Sequence, residues 1–310
     1  MKPQNRAYTY AILAVLCWST IGSVFKISLR YLDFLHLLLI CSFTAVLVHF
    51  FTLLIQKKIA LLKVLKAKDF LHSAFLGFLN PFLYYLVLLR AYELLRAQEA
   101  GTLNYIWPVA LVLLSIPLLK QKINFWSIFA VIVSFTGIII ISTHGHPFSL
   151  KFSDPLGVVL AVGSAIFWAL YWIYNIKDPR EETSKLFLNF CFGFVFILIM
   201  VLVMKFLQMS GTVHRNEEEI PLFRERISRW YGIAGAIYLG IFEMGITFVF
   251  WLKALKLSVT TAKVSNLIFL SPFISLIFIH FIVGETIFIS TFIGLIFIVS
   301  GIILQQNLRR

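Results

Sequence analysis

Charged side chains are scarce in this chain of 310 residues, because Asp, Glu, Lys and Arg make up only 13% of it. A soluble domain of this length carries about twice that fraction. Hydrophobic residues make up 60% of the chain, and Phe alone occurs 32 times. The composition excludes an ordinary soluble domain. It predicts a polytopic membrane protein whose outer surface is solvated by the lipid bilayer.

Cysteine is also scarce, and the sequence signatures of several enzyme classes are missing. Cys17, Cys41 and Cys191 all lie in apolar runs, so we interpret them as small buried hydrophobic residues without disulfide or metal spacing. The chain has no Gly-rich phosphate loop, no His-Glu-x-x-His and no Gly-x-Ser-x-Gly. These signatures mark nucleotide-driven pumps, metalloproteases and serine hydrolases. We therefore expect a protein that is not an enzyme and needs no cofactor.

Ten apolar runs occupy most of the chain. A helix needs about 20 residues to cross about 30 Å of hydrocarbon, and in lipid its backbone polar groups must be satisfied within the segment. The runs therefore predict an all-α membrane protein with ten transmembrane helices. Their approximate bounds are 7–28, 35–55, 70–89, 100–119, 123–143, 155–176, 186–206, 231–252, 264–283 and 287–306.

The basic residues between the runs predict the orientation of the chain. With a cytoplasmic N-terminus, 17 of the 27 Lys and Arg lie on the inner side. Because short cytoplasmic loops are enriched in Lys and Arg, we expect both termini inside, in the inner (plasma) membrane. The first run, after Lys2 and Arg6, is expected to be an uncleaved span. The net charge of +13 then reflects topology, and nucleic acid is not an expected partner.

Two loops have features beyond those of a plain connection. Residues 57–69 interleave Lys with Ile59, Leu62 and Leu65, which predicts a short helix on the anionic inner leaflet. Residues 207–230 contain three consecutive Glu residues followed by proline, and apolar residues recur beyond them at helical spacing. This pattern predicts an amphipathic helix on the outer surface. A plain solvated linker is the alternative for both loops.

The second half of the chain repeats distinctive residues of the first half. A shift of 164 residues places Pro108 on Pro272, and a shift of 163 places Asn80 on Glu243. We therefore predict two repeats of five spans. An odd number of spans inverts the second copy in the membrane, and inverted repeats are the architecture of alternating-access transporters. The predicted repeats are residues 1–146, with spans 1–5, and residues 147–310, with spans 6–10.

Four stretches together resemble one known family. They are Ala91-Tyr92-Glu93 through Asn104-Tyr105-Ile106-Trp107-Pro108, Ser265-Asn266-Leu267 to Pro272, Gly284-Glu285 before Gly294 and Gly301, and Trp18-Ser19-Thr20 with Phe167-Trp168-Ala169. Over essentially the whole chain they resemble the EamA-type carriers of the drug/metabolite transporter (DMT) superfamily. The resemblance implies ten helices, two inverted repeats, cytoplasmic termini and a central cavity. The run from Asn104 to Pro108 is similar to the branch that includes aromatic amino-acid exporters.

The first-half counterpart of the Gly-Glu turn differs from the family pattern. It reads Lys120-Gln121-Lys122 and contains no acid. We therefore interpret Glu285 as a turn and helix-start residue without a coupling role.

Glu243 is the only Asp or Glu inside the ten predicted spans. A carboxylate at bilayer depth is costly unless it faces protein, water or a partner, so Glu243 is the first candidate for a functional site. Helical spacing places Thr247 on its face, and places Tyr84 on the face of Asn80. The other predicted substrate-binding residues are amides and aromatics of neighbouring spans, namely Asn104, Tyr105, Trp107, Trp18, Trp168, Tyr171 and Asn266.

The predicted function is a secondary active transporter that exports small polar metabolites, such as amino acids or related amines, by alternating access. Glu243 has two open roles, since it could pair with a cationic substrate or exchange a coupling proton. One alternative is a membrane structural or assembly protein in which Asn80 and Glu243 only hold helices together. Others are a facilitator for a nucleotide-like metabolite and an intramembrane enzyme, which would need two titratable groups in one cavity.

Overall fold

The computed structural model describes residues 3–119, 125–145, 154–210, 222–257 and 266–307, and within these ranges it is helical without a β-strand. The α-helices of these ranges are α1 (Pro3–Ser28), α2 (Phe34–Ile55), α3 (Ala67–Gly77), α4 (Tyr84–Leu94), α5 (Ala97–Asn104), α6 (Trp107–Leu119), α7 (Phe125–Ser142), α8 (Pro155–Lys177), α9 (Glu182–Met209), α10 (Leu222–Phe242), α11 (Ile246–Leu257), α12 (Ser271–Phe278) and α13 (Ile289–Asn307).

Four short segments with other helical geometries interrupt or extend these helices. Ile59–Val64 and Asn266–Leu270 are 3₁₀ turns, whereas Phe78–Leu83 and Ile279–Val283 are π-helical. A π-helical turn inside a membrane helix widens the backbone locally and often marks a functional position. The segment Phe78–Leu83 is the one that shapes the candidate site described below.

Six helical stretches among the described residues are long and apolar enough to cross a membrane. They are Pro3–Ser28, Phe34–Ile55, Ala67–Leu94, Pro155–Asn175, Glu182–Met209 and Trp230–Trp251. The chain is therefore an integral, multi-pass membrane protein. Helices also occupy the other four predicted spans, as α5 with α6, α7, α12 with its flanking turns, and α13. The count of ten spans stays a prediction.

The two predicted surface helices have different outcomes. Within residues 57–69 the structure has the 3₁₀ turn Ile59–Val64, and α3 begins directly after it at Ala67. The short helix predicted for this loop is therefore present as a 3₁₀ turn rather than as an α-helix. The acidic front of the second predicted helix lies within residues 211–221, outside the described residues, as do Lys120, Gln121 and Lys122.

The chain divides into two compact units. The first unit comprises Met1–Lys26, Val87–Pro179 and Phe250–Arg310, and the second comprises Ile27–Leu86 and Arg180–Val249. In the first unit, α7 packs along α13, and α5 and α6 pack against α8. In the second unit, α2 packs against α9 and α10, and α3 packs against α9. Each unit combines segments from both halves of the sequence.

Candidate functional site

The third predicted span is interrupted at Asn80. Between α3 and α4 the π-helical segment Phe78–Leu83 contains Pro81, and Asn80 adopts an extended conformation with φ −155° and ψ 122°. Pro81 has no N–H to continue the helical ladder. The predicted common face of Asn80 and Tyr84 was wrong, because four-residue spacing holds only in a continuous α-helix.

The eighth predicted span is interrupted at Glu243. Helix α10 ends at Phe242, residues 243–245 form a turn, and α11 begins at Ile246. The prediction that Glu243 and Thr247 share a face of one helix was therefore wrong. Instead, the Thr247 hydroxyl donates to the Phe242 carbonyl across the interruption. A side-chain donor thus bonds to a carbonyl at the C-terminal end of α10, where backbone donors become scarce.

The two interruptions are linked inside the second unit. The Tyr85 hydroxyl donates a hydrogen bond of 2.8 Å to Oε1 of Glu243, and both side chains are buried. The sequence prediction chose Tyr84, whose ring contacts Tyr85 edge-on with 4.6 Å between centroids. Because the π-helical turn adds one residue, the partner of the acid lies five positions after Asn80. An Asn-Pro pair inside an apolar run was the available signal for this shift.

His49 is a second member of the site that the sequence prediction left out. Its ring is fully buried in α2, and Nε2 lies 2.9 Å from the Met244 carbonyl, next to Glu243 in the chain. The ring also contacts Phe190 of α9, with 4.7 Å between centroids. His49 therefore satisfies a carbonyl of the interruption that contains Glu243.

Asn189 is a third residue that the prediction missed. It lies in α9 beside Phe190 and is fully buried. Neither of its amide atoms, and neither amide atom of Asn80, has a hydrogen-bond partner among the described residues. An unsatisfied buried amide costs about 1–3 kcal/mol, so such groups in a membrane protein call for a functional explanation.

Predicted site residues on spans 4 and 6 belong to the first unit. The Asn104 amide, at the end of α5, donates a 2.8 Å hydrogen bond to the Ser164 hydroxyl of α8. Tyr105 lies in the turn before α6, which begins at Trp107. The fourth span is therefore interrupted next to Pro108, and the Asn104 amide already has a protein partner.

The remaining aromatic candidates also lie in the first unit. Trp168 and Tyr171 are buried one turn apart in α8, with 6.2 Å between ring centroids. Trp18 of α1 contacts Trp251 of α11, with 5.5 Å between centroids. Asn266 begins the turn Asn266–Leu270, and its side chain lies outside the described part of the structure. A substrate-binding role for these aromatics stays a prediction.

Glu285 caps a helix, but not the helix that follows it in the chain. Its Oε1 accepts a 3.0 Å hydrogen bond from the Ala97 backbone N–H, and its Oε2 accepts from the Gln98 backbone at 3.4 Å. These donors begin α5, where a carboxylate also favours the helix dipole. The predicted turn and helix-start role is therefore corrected: Glu285 caps the start of α5, and the helix after the Gly-Glu turn begins at Ile289.

The sequence model of the EamA-like transporter family matches residues 5–143 and 155–305. The chain belongs to this family. It is 25% identical over 195 residues to an uncharacterized transporter of Clostridium kluyveri, covering 60% of this chain and 56% of that relative. It is 33% identical over 90 residues to an uncharacterized transporter of Acidianus ambivalens, covering 28% of this chain and 34% of that relative. The matches thus span about half of the length of the Clostridium kluyveri relative and about one third of the length of the Acidianus ambivalens relative.

A solved crystal structure of a protein supports the fold of this EamA-like chain. The two share a TM-score of 0.61 at 18% sequence identity, and the alignment covers 97% of this chain and 96% of the other. At this identity the likeness concerns the fold alone.

Proposed function

We propose that this EamA-like transporter exports a small polar solute that bears an amine, such as an amino acid or a related amine. The observation that carries the proposal is the buried Glu243 carboxylate, which lies in a helix interruption and accepts a hydrogen bond from Tyr85. A carboxylate at bilayer depth needs favourable partners. A cationic solute supplies the opposite charge, whereas an anionic solute would be repelled.

The interrupted helices support a solute site in the second unit. Backbone interruptions at membrane depth are tolerated where the freed groups face protein or a water-filled site. In many carriers such discontinuous helices bind the substrate near the bilayer midplane. Here the two interruptions occur at Asn80 and Glu243, which are 163 positions apart.

The proposed mechanism is alternating access by two inverted repeats, residues 1–146 and 147–310, with ten spans and both termini in the cytoplasm. The support comes from the matched interruptions and from the composition of the compact units. The second unit combines Ile27–Leu86 of one repeat with Arg180–Val249 of the other. A compact unit that contains segments of both repeats is consistent with an alternating-access carrier built from inverted repeats.

The aromatic and amide residues of the first unit are proposed to contact the solute during transport. Trp168 and Tyr171 offer flat apolar surfaces with one polar group each, and aromatic rings also attract cations. The other members of this proposed set are Trp18, Asn104, Tyr105, Trp107 and Asn266.

Reconstituted protein tests the proposal directly. Proteoliposomes containing the full chain are assayed with labelled amino acids, simple amines and simple carboxylates. We expect flux of at least one amine-bearing solute and no flux of the carboxylates. Glu93→Gln is the control for removing a carboxylate, since Glu93 pairs with Arg90 within α4 and belongs to the first unit. Flux of carboxylates without flux of amines would contradict the proposed substrate class.

A further inference from the structure

Several buried side chains of the second unit have polar atoms without a hydrogen-bond partner among the described residues, including the hydroxyls of Ser28 and Ser73. Three others are Asn80 and Asn189, through both amide atoms, and His49, through Nδ1. All three side chains are fully buried. In native structures such groups are rare, and each one calls for an explanation such as a bound ligand or an ordered water.

The packing of α9 brings the two asparagines onto facing segments. A Cβ atom on Gly77 would overlap the Asn189 carbonyl oxygen, and a Cβ atom on Gly193 would overlap the ring of Pro81. The absence of both side chains allows the backbones to touch, as in close helix contacts within membranes. Asn80 lies between Gly77 and Pro81, two residues that contact α9. Its segment therefore packs against the turn of α9 from Asn189 to Gly193.

The His49 ring connects this contact to the interruption at Glu243. Its Nε2 faces the Met244 carbonyl, and its ring contacts Phe190, the chain neighbour of Asn189. A carbonyl oxygen only accepts hydrogen bonds, so Nε2 must carry the proton. In the neutral imidazole Nδ1 is then an acceptor that needs an N–H or O–H donor.

We propose that His49 and Asn189 join Glu243 and Asn80 in one polar group whose acceptors bind a primary ammonium through its N–H bonds. This inference rests on the proposed transport function. The group offers a carboxylate, a ring nitrogen and two amide oxygens as acceptors, and its two amide NH2 groups are donors. A primary ammonium carries three N–H donors, so it can pair with these acceptors, whereas a quaternary ammonium of equal charge has no N–H and can pair with none of them.

Two probes with the same tail test this recognition. Binding of n-butylammonium and n-butyltrimethylammonium to the purified full chain is measured by calorimetry. The wild-type protein is expected to favour the primary ammonium by about tenfold or more, because hydrogen bonds to charged groups are the strong ones. His49→Gln, which retains an amide donor for the Met244 carbonyl, and Asn189→Leu should each remove most of that preference.

Matched controls separate recognition from general damage. Asn175→Leu removes a buried asparagine of the first unit that donates to the Tyr171 carbonyl, and it should lower the melting temperature without changing the primary-to-quaternary ratio. Asn189→Leu should instead leave the ligand-free melting temperature unchanged or raise it, since it replaces an unsatisfied amide by an apolar group of similar shape.

The outcomes distinguish this inference from the proposed function. If amines bind and are transported, but His49→Gln and Asn189→Leu keep the wild-type ratio, the inference is wrong and the proposed function stands. A wild-type preference for the quaternary probe, as cation–π recognition would give, also overturns the inference. If neither probe binds and no amine is transported, both proposals are wrong.

Discussion

The Tyr85 hydroxyl and the Glu243 carboxylate form a 2.8 Å hydrogen bond that joins two interrupted helices of the second unit. Both residues are buried, so the bond forms where a polar group has few other partners. The distance of 2.8 Å is typical of an O–H···O hydrogen bond. The contact therefore fixes the orientation of the acid and connects the backbone around Asn80 to it.

Tyr85→Phe should destabilise the protein. The substitution keeps the ring and removes only the donor to Glu243, which costs about 1–3 kcal/mol in the free energy of unfolding. Unfolding of the purified protein in detergent measures the effect. Tyr31→Phe is the control, because Tyr31 is an exposed tyrosine of the same unit and its substitution should cost less stability. Equal effects of the two substitutions would contradict the assigned contact.

Gly193→Ala should also destabilise the second unit. A Cβ atom at this position would overlap the Pro81 ring, so the α9 contact must open, at a cost of about 1–3 kcal/mol. Gly163→Ala is the control, because a Cβ atom there meets no atom within 4 Å. Gly163 lies inside α8, where Ala favours the helix by up to about 1 kcal/mol. Chemical denaturation of both variants should therefore give changes of opposite sign.

Protonation of Glu181 should lower the free energy of unfolding at acid pH. Partial burial alone would raise the pKa of this carboxyl, but hydrogen bonds from Lys58, Ser184 and Thr183 outweigh burial, and the pKa lies below its ordinary value of 4.5. A lowered folded-state pKa means that the stabilisation is present above about pH 4.5 and is lost as the pH falls further. Glu181→Gln should remove this part of the acid-induced loss.

A double-mutant cycle checks the cause of that pH dependence. The Lys58 ammonium lies 2.7 Å from Glu181 Oε1. Lys58→Met should therefore weaken the same pH dependence, and the effects of Lys58→Met and Glu181→Gln should not add, because the two residues form one interaction. Because the pair is partly exposed, the coupling is expected to be below about 1 kcal/mol. If the two substitutions changed the free energy of unfolding at pH 7 in a strictly additive way, a group other than Lys58 would be responsible for the pH dependence.

Glu285→Gln should lower stability without changing transport per folded molecule. The carboxylate accepts from the Ala97 and Gln98 backbone at the start of α5, and a negative charge at a helix N-terminus contributes about 0.3–1 kcal/mol. Melting temperature and proteoliposome flux are measured on the same preparation. Loss of flux in a fully folded Glu285→Gln protein would mean that this acid has a transport role.

The sequence was sufficient for the helical class and the family, because apolar runs and family motifs leave strong local patterns, and it singled out Glu243 as a candidate because an acid inside a span is rare. It was not sufficient for the partner of that acid. Four-residue spacing favours Tyr84, but the extended backbone at Asn80 and the following π-helical turn shift the contact to Tyr85. Such a shift depends on the backbone path and is invisible to a helical wheel.

His49 and Asn189 could not be assigned for a different reason. Each lies in a long apolar run, where isolated polar residues usually hold helices together. Their importance comes from packing between segments distant in sequence, since His49 reaches the Met244 carbonyl across 195 positions. The close contact of α9 with Pro81 depends likewise on Gly193, whose neighbour in space is not evident from the chain.

The central claim is that Glu243 binds or couples the transported amine, and flux through Glu243→Gln tests it most directly. The variant is isosteric and retains an acceptor for the Tyr85 hydroxyl, so it should fold, as a melting curve will verify. We expect its amine flux in proteoliposomes to fall at least about tenfold, the order of a lost charge-assisted contact, and its pH dependence to disappear if Glu243 exchanges the coupling proton. Wild-type flux with wild-type pH dependence in a folded Glu243→Gln protein would contradict the claim.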